Sequence, residues 1–442
     1  MLRQINLSAI MNHIREESPI SRADLALKTG LNKATVSSLV NELIEDQYVR
    51  EIGIESSGVG RPRVMLSINP QAGYIIGTEI GVDFILVIAT DFEPKPIYQA
   101  HQRIEPNEEI NTVLEKLVVQ IREAVEYCKE HSDGRFLGLA LGVPGLVDFT
   151  EGELLFAPNL GWRNIALRKF LEKYFKNVPI FVDNEANMAT LGEHYFGSAH
   201  NAVDVLYLSA GVGLGGGILR GDRLLRGVTG MAGEFGHIIM DPGGEPCACG
   251  NRGCWETQVS LKALFRYIKQ AINAGHTSSL QDMTGGDLEK LDVNMVVEAA
   301  KSGDQVAQDA LTRVAHYLGV GIASMINALN PQLVVFGGIL SAAWSFLKPV
   351  LDEDLKAKAL LWDRQATKVV LAKHEMNACV MGGVATVYQE IFSQPEHKDQ
   401  SSSDEYYITD LRQTSYRFKD ERKEEKPVEK NQETVVSDRL SY

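Results

Sequence analysis

Three of the chain's five cysteines lie close together with a histidine upstream, a pattern that could hold a metal ion. Cys247, Cys249 and Cys254 fall within eight residues, and His237 lies ten residues before Cys247. Thiolate and imidazole groups suit tetrahedral zinc, and four protein ligands leave no open coordination position. The spacing therefore predicts a structural, non-catalytic Zn²⁺ at these four residues. The alternative is a set of free thiols.

The remaining composition is typical of a globular protein without disulfides. Cys128 and Cys379 stand alone in apolar sequence, so we expect both to pack as small hydrophobic residues. No apolar run approaches the ~18 residues of a membrane span, and the N-terminus lacks a signal-peptide core. We therefore expect a cytoplasmic protein with no membrane contact. Its 442 residues suggest two to four domains.

The net charge of −14 is distributed unevenly along the chain. Residues 1–70 hold eight basic and eight acidic residues, and the tail from 393 onward holds nine and twelve. The acidic charge therefore sits mainly on the middle of the chain. Only a neutral N-terminal segment that presents its cations on one face is compatible with nucleic-acid binding.

The first 45 residues have the pattern of three helices. A helix is predicted near residues 4–16 because apolar side chains recur at helical spacing, at Leu7, Ile10, Met11 and Ile14. Ser21, with Asp24 three residues later, is a cap signal for a second helix that runs to Gly30. Asn32 can cap the third helix.

The second and third predicted helices and the short turn between them form a helix-turn-helix. Val36, Leu39, Val40 and Leu43 make the buried stripe of the third helix. Its exposed face is predicted to contact DNA bases and phosphates through Lys33, Ala34, Thr35, Ser37, Ser38 and Asn41. The alternative from this pattern alone is a three-helix bundle with a solvated polar face.

Two short strand-like runs follow, at 48–54 and 63–68, and they predict a β-hairpin wing. The connecting loop carries Gly60-Arg61-Pro62 at its tip. An extended arginine beside a helix-turn-helix is suited to a minor groove, so we expect Arg61 and Arg63 to contact DNA. The head is thus predicted to be a winged helix-turn-helix.

Strands alternating with helices predict an α/β body in the middle of the chain. Two similar segments, 75–91 and 205–219, each read as a strand, a glycine turn and a second strand. They lie about 130 residues apart. This repeat suggests two related halves that face a cleft.

The run AGEFGH at 232–237, followed by the Cys-x-Cys-Gly-x-x-Gly-Cys-Trp-Glu pattern at 247–256, resembles the ROK family of repressors and sugar kinases. The resemblance spans about residues 2–392. It implies an actin-like, two-lobed, ribonuclease H-like domain. We therefore divide the chain into a DNA-binding domain at 1–70, a sugar-sensing domain with a zinc knot at 71–392, and a charged tail at 393–442 that we expect to be disordered.

The resemblance also implies a sugar site. The matching positions are Asn159, Asn184, Glu234, His237 and Glu256. Convergent carboxylates and amides are what a small neutral polyol requires, and the zinc knot would hold His237 and Glu256 in place. Taken singly, each of these residues could instead be a solvated surface group.

The residues of phosphoryl transfer depart from the family pattern at three places. The turn that matches the kinases' Asp-x-Gly-Gly-Thr reads Glu79-Ile-Gly-Val82-Asp83, and Val82 crowds the place where backbone must approach phosphate. The second phosphate turn reads Ser209-Ala210-Gly211, without the family's threonine. Glu185 occupies the catalytic-base position, where its extra methylene shifts the carboxylate. We therefore expect no enzymatic activity.

These observations predict a transcriptional repressor that binds operator DNA as a homodimer and is released by a sugar inducer. The head and the segment around Asn187 are most similar to repressors of xylose utilisation, so xylose is the first expectation and glucose the second. The alternatives are an ATP-dependent ROK sugar kinase with a DNA-binding head, and a sugar-binding scaffold whose head contacts protein.

Overall fold

The structure, a computed structural model, describes residues 2–55, 63–105, 108–221 and 223–393. The predicted wing tip with Arg61 and the tail beyond Ser393 lie outside these residues. No helix within the described ranges is long and apolar enough to span a membrane.

The head consists of three helices and a three-stranded sheet of order β1-β3-β2. Its elements are α1 (Leu2–Glu17), β1 (Ile20–Ser21), α2 (Arg22–Thr29), α3 (Lys33–Glu45), β2 (Val49–Glu55) and β3 (Arg63–Ile68). Both predicted caps form, because Ser21 Oγ accepts from the Asp24 amide at 3.2 Å and Asn32 Oδ1 accepts from the Thr35 amide at 2.8 Å. Gly30 closes α2 in the left-handed conformation with φ 69°. The winged helix-turn-helix prediction is confirmed.

The hydrophobic core of the head continues into the body. The predicted apolar stripes of α1 and α3 are buried, and they share one core with side chains of the body. The Tyr48 and Phe92 rings lie 5.3 Å apart, and Phe92 stacks on Tyr388 at 4.9 Å. Arg15 of α1 lies 4.6 Å from the Tyr195 ring centroid. The head is therefore packed firmly on the body.

The first lobe of the body has a five-stranded sheet of order β11-β7-β4-β5-β6 and a small antiparallel sheet of order β10-β9-β8. Its elements are β4 (Gly73–Ile80), β5 (Phe84–Asp91), β6 (Pro96–Arg103), α4 (Ile110–His131), β7 (Arg135–Val143), β8 (Leu146–Asp148), β9 (Glu153–Ala157), β10 (Trp162–Ile165), α5 (Leu167–Leu171), β11 (Ile180–Asn184) and α6 (Glu185–Phe196).

The second lobe has a five-stranded sheet of order β14-β13-β12-β15-β16. Its elements are β12 (Asp204–Ala210), β13 (Leu214–Arg220), β14 (Arg223–Leu224), α7 (Glu256–Val259), α8 (Leu261–Asn273), α9 (Leu280–Met283), α10 (Val293–Lys301), α11 (Gln305–Leu329), β15 (Leu333–Gly337), α12 (Trp344–Lys358), α13 (Leu361–Ala366), β16 (Lys368–Leu371) and α14 (Ala378–Ser393).

The two large sheets repeat one topology. In each sheet, an antiparallel hairpin (β4–β5 or β12–β13) is followed by two parallel strands (β7 and β11, or β15 and β16) on the same side of the first hairpin strand. The predicted relation between the two hairpin segments is therefore confirmed, and so is the two-lobed α/β body.

Helices α6 and α14 cross at the centre of the body with backbone-to-backbone contact. A Cβ added at Gly382 would lie 1.7 Å from the carbonyl oxygen of Met188, and one at Gly77 would lie 2.2 Å from that of Val380. Only glycine permits this approach. Helix α14 begins at the cleft between the lobes and ends against the head.

Candidate functional site

A cavity of about 180 Å³ lies between the two lobes, at the two hairpin turns. The β4–β5 turn contributes Val82, and the β12–β13 turn contributes the stretch from Gly211 to Gly213. The start of α6 and the start of α14 complete its floor through Glu185 and Cys379. The cavity therefore collects residues from segments that are far apart in the chain.

All five residues predicted to contact a sugar line this cavity, namely Asn159, Asn184, Glu234, His237 and Glu256. Two of them converge on the β12–β13 turn. A Cβ placed at Gly213 would lie 2.7 Å from Glu256 Oε2 and 3.7 Å from Asn159 Nδ2. The sequence signal missed Lys262 of α8, which donates to Asn159 Oδ1 at 3.2 Å and so connects the two lobes at this point.

The Asn184 side chain makes hydrogen bonds within the protein that limit its ability to contact a bound sugar. Its Oδ1 caps α6 by accepting from the amides of Ala186 at 2.8 Å and Asn187 at 3.1 Å. Its Nδ2 donates to the Gly145 carbonyl and to Glu185 Oε2, both at 3.0 Å. All of its hydrogen-bonding groups are thus engaged within the protein. We infer that Asn184 shapes the cavity more than it contacts a ligand.

The Cys₃His cluster fits a tetrahedral metal ion. Cys247 Sγ lies 3.6 Å from His237 Nδ1, and Cys249 Sγ lies 3.7 Å from Cys254 Sγ. A tetrahedron with zinc's usual bond lengths has edges of about 3.6 Å between nitrogen and sulfur and about 3.8 Å between two sulfurs. All four donor atoms lie within 4.8 Å of one another. The four predicted ligand side chains therefore lie together, and two of their six donor-to-donor distances match those of a zinc tetrahedron.

The metal cluster and the cavity share side chains. Nδ1 of His237 faces the thiols, whereas its Nε2 lies 3.8 Å from Glu234 Oε2 on the cavity side. Glu256 Oε1 lies 2.9 Å from Cys247 Sγ. An ion held by the cluster would fix the orientation of the His237 ring and of the Glu256 carboxylate.

The positions of phosphoryl transfer hold buried acids. Glu79 is buried, and its Oε2 has no hydrogen-bond partner within the part of the chain that the structure describes. Burial raises the pKa of Glu79 to about 7. Burial also raises the pKa of Glu185 well above its usual range, and the charges of Glu79 and Glu234 raise it further. A carboxyl group with a raised pKa stays protonated over a wider pH range, and in its protonated form it cannot accept the proton of a sugar hydroxyl.

Cys379 is buried and packs in a hydrophobic core, as the sequence suggested. It also lies at the floor of the cavity, close to the acidic side chains of Glu79 and Glu185. Burial raises the pKa of its thiol well above the usual range. The sequence did not predict that Cys379 would lie close to Glu79, because α14 returns to β4 from about 300 residues away and no local pattern indicates this contact. Cys128 lies on the buried face of α4, as predicted.

The predicted DNA-contacting face of α3 is presented to solvent. Lys33, Ala34, Ser38 and Asn41 are exposed, while Thr35 and Ser37 are half-buried.

Two further residues hold this surface in place. Arg22, which sequence reasoning missed, donates to Asn41 Oδ1 at 3.0 Å and pairs with Glu51 of the wing at 2.8 Å. Arg63 is exposed and pairs with Asp24 of α2 at 3.1 Å. The wing and the helix-turn-helix therefore form one rigid surface.

Comparisons with known proteins agree with this architecture. Residues 75–390 match the ROK family model, and residues 4–50 match a winged helix-turn-helix DNA-binding model. A xylose repressor of Caldicellulosiruptor bescii is 34% identical over 397 residues, which cover 90% of this chain and 98% of that one.

Two solved structures are also similar. A ROK family transcriptional regulator, a homologue of the E. coli MLC protein, has a TM-score of 0.78 at 29% identity, covering 89% of this chain and 97% of that one. A ROK family glucokinase from Streptomyces griseus, in complex with glucose and AMPPNP, has a TM-score of 0.64 at 31% identity, covering 72% and 100%.

The fold and the site define an actin-like two-lobed domain that carries a DNA-binding head. The chain belongs to the ROK family. Its winged head and its similarity to a ROK transcriptional regulator make it a regulator of that family rather than one of the kinases.

Proposed function

We propose that the protein is a transcriptional repressor whose head, residues 1–70, binds operator DNA in the cytoplasm and whose body, residues 71–392, binds a sugar that releases it. The observation that carries this proposal is the course of α14. Cys379, near its start, lines the cavity, and Phe392, near its end, lies in the core shared with the head. One helix thus touches both the ligand site and the DNA-binding unit.

This connection can transmit a change in the cleft because it is stiff. Gly382 and Gly77 bring α14 into direct backbone contact with α6 and β4, and close-packed interfaces shift as units. At the far end, Phe392 stacks on Tyr388 at 5.0 Å, and the Arg15 guanidinium lies 5.7 Å from the Phe392 ring centroid. A sugar that changes the closure of the lobes would therefore tilt the head through α14.

The proposed ligand is a small neutral sugar held by Asn159, Glu234, His237 and Glu256. Carboxylates and an amide provide hydrogen bonds to hydroxyl groups, and the buried acids nearby disfavour an anionic ligand. Xylose is the first expectation because the similar Caldicellulosiruptor protein is a xylose repressor, and glucose is the second because the similar glucokinase binds glucose.

The proposed metal is zinc in a structural role. His237, Cys247, Cys249 and Cys254 would hold it, and the ion would supply rigidity rather than reaction chemistry because the four protein ligands complete its shell. The proposed assembly is a homodimer, since each winged head reads one half-site and two heads are needed for a palindromic operator.

The decisive experiment measures operator affinity by fluorescence anisotropy, with and without xylose or glucose. We expect an inducing sugar to weaken operator binding by about 5- to 150-fold, the usual range of allosteric coupling. Asn159→Ala should reduce the response to sugar and leave sugar-free operator affinity unchanged. Asn294→Ala, at an exposed position on α10, serves as the matched control.

Two results would overturn the proposal. One is an operator affinity that neither sugar changes, and the other is a head that does not bind promoter DNA in a salt-dependent way. A coupled ATPase assay with a panel of sugars tests the absence of kinase activity. Sugar-dependent turnover above background would mean that Val82 and Glu185 still support phosphoryl transfer.

A further inference from the structure

A second cavity, of about 310 Å³, lies on the other side of the metal-binding loop and shares no residue with the sugar cleft. The loop contributes residues between Asp241 and Arg252, and helices α7, α8 and α11 form the remaining wall. Its lining is almost entirely polar, comprising Asp241, Gly243, Gly244, Glu245, Arg252, Gln258, Arg266, Tyr267, Gln270, Arg313 and Tyr317.

Three arginines give this cavity a cationic character that is unusual in a chain of net charge −14. Arg252 and Arg313 have no ion pair with any carboxylate in the described residues. Arg266 donates through Nη2 to the Thr257 carbonyl at 2.7 Å. Its buried Nε has no hydrogen-bond partner among the residues described, and it only approaches Glu245 Oε1, at 3.9 Å.

Two of the three guanidinium groups, those of Arg266 and Arg313, lie against one aromatic ring. The Tyr267 ring centroid lies 4.0 Å from the guanidinium carbon of Arg313 and 5.0 Å from that of Arg266. Tyr267 is itself fixed, because its hydroxyl donates to Gln258 Oε1 at 2.5 Å. Guanidinium groups that are oriented before a ligand arrives lose little side-chain entropy on binding it.

Two carboxylates also line the cavity, and they do not neutralise it. Asp241 Oδ1 accepts a hydrogen bond from the Gly243 amide at 3.2 Å, which stabilises the turn that follows Asp241. Glu245 is the residue that approaches Arg266. Three guanidinium groups against two carboxylates leave a net positive site with donors in excess of acceptors.

We propose that this cavity is a second ligand site, which binds a small phosphate-bearing molecule on the face of the metal-binding loop opposite the sugar. Planar guanidinium forks match the geometry of phosphate oxygens and bind them in a bidentate manner. The cavity is too small for a macromolecular surface and too polar for an apolar ligand. The sugar cleft, with its buried acids, disfavours the same molecule.

Isothermal titration of the full-length, zinc-supplemented protein tests the site, with inorganic phosphate and glycerol 3-phosphate as probes. Sodium chloride at equal ionic strength and glycerol are the reference titrants. We expect saturable binding of the phosphate compounds and none of the references. Arg252→Gln and Arg313→Gln should each weaken phosphate binding at least about tenfold, the lower end for a lost charged hydrogen bond.

Arg103→Gln, which changes an exposed arginine on β6 of the first lobe, is the matched control and should bind phosphate like the wild type. Arg252 is exposed on the loop, so its substitution tests the site even if the Arg313 variant folds poorly. Phosphate that acts no differently from chloride, or that binds both cavity variants as tightly as the wild type, would overturn the proposal. Sugar binding is measured separately, so neither outcome bears on the repressor function.

Discussion

Replacing Glu79 by glutamine should change how the stability of the protein depends on pH. The pKa of Glu79 rises from 4.5 to about 7 because the side chain is buried. The folded state therefore holds its proton more tightly than the unfolded state does. This contribution to stability is fully present below pH 4.5 and is lost as the pH rises toward and through 7.

The size of the effect follows from the two pKa values. The raised pKa of Glu79 costs the folded state about 1 kcal/mol at about pH 5 and about 3 kcal/mol at about pH 8. The difference in unfolding free energy between Glu79→Gln and the wild type should therefore grow by roughly 2 kcal/mol over this range. Removal of the Glu79 charge also eases ionisation of Glu185, which acts in the same direction.

Urea unfolding followed by circular dichroism at both pH values measures this difference. The zinc concentration is held constant, and the pH dependence of any metal binding cancels in the difference because both proteins keep the same four cluster residues. Glu115→Gln on α4 is the control, because this carboxylate is exposed and should show no such dependence. A difference between Glu79→Gln and the wild type that stays constant with pH would refute the argument, since it would mean that Glu79 is solvated in the folded protein.

Three further predictions concern packing, metal and DNA. Gly382→Ala should lower the unfolding free energy by about 1–3 kcal/mol or more, because the new Cβ would meet the Met188 carbonyl at 1.7 Å, whereas Gly211→Ala meets nothing within 4 Å and should cost far less. Cys254→Ser should reduce bound zinc and lower the melting temperature; a chelator that lowers the melting temperature of the variant as much as that of the wild type would contradict this. Lys33→Ala should weaken operator binding and reduce its salt dependence by about one ion, and unchanged binding would exclude a phosphate contact at this exposed residue.

The sequence predicted more of the structure of the head than of the cleft. In the head, the apolar periodicity of α1, the caps at Ser21 and Asn32, and the wing strands were all confirmed. These features depend on neighbours within a few residues, so their signals are local. The cluster of His237, Cys247, Cys249 and Cys254 was likewise predicted from spacing alone, because these residues lie within one short stretch of the chain.

The cleft contains contacts between residues that are distant in the chain, and local sequence patterns could not predict these contacts. The five predicted sugar residues came from family motifs, and the structure shows that they meet, but only the fold revealed that the hydrogen-bonding groups of Asn184 are engaged within the protein. Cys379 lies close to Glu79, which is 300 residues earlier in the chain. Lys262 of the second lobe donates a hydrogen bond to Asn159 of the first lobe.

The sequence by itself determined the secondary structure of the head, the repeated halves of the body and the cluster of three cysteines and a histidine, because helix period, capping and close spacing of these residues act between neighbours in the chain. Only the tertiary structure decided that α14 joins the cleft to the head and that Arg252, Arg266 and Arg313 surround one cavity. Such contacts depend on how distant elements pack, since burial and charge there are set by the partners that the topology brings together.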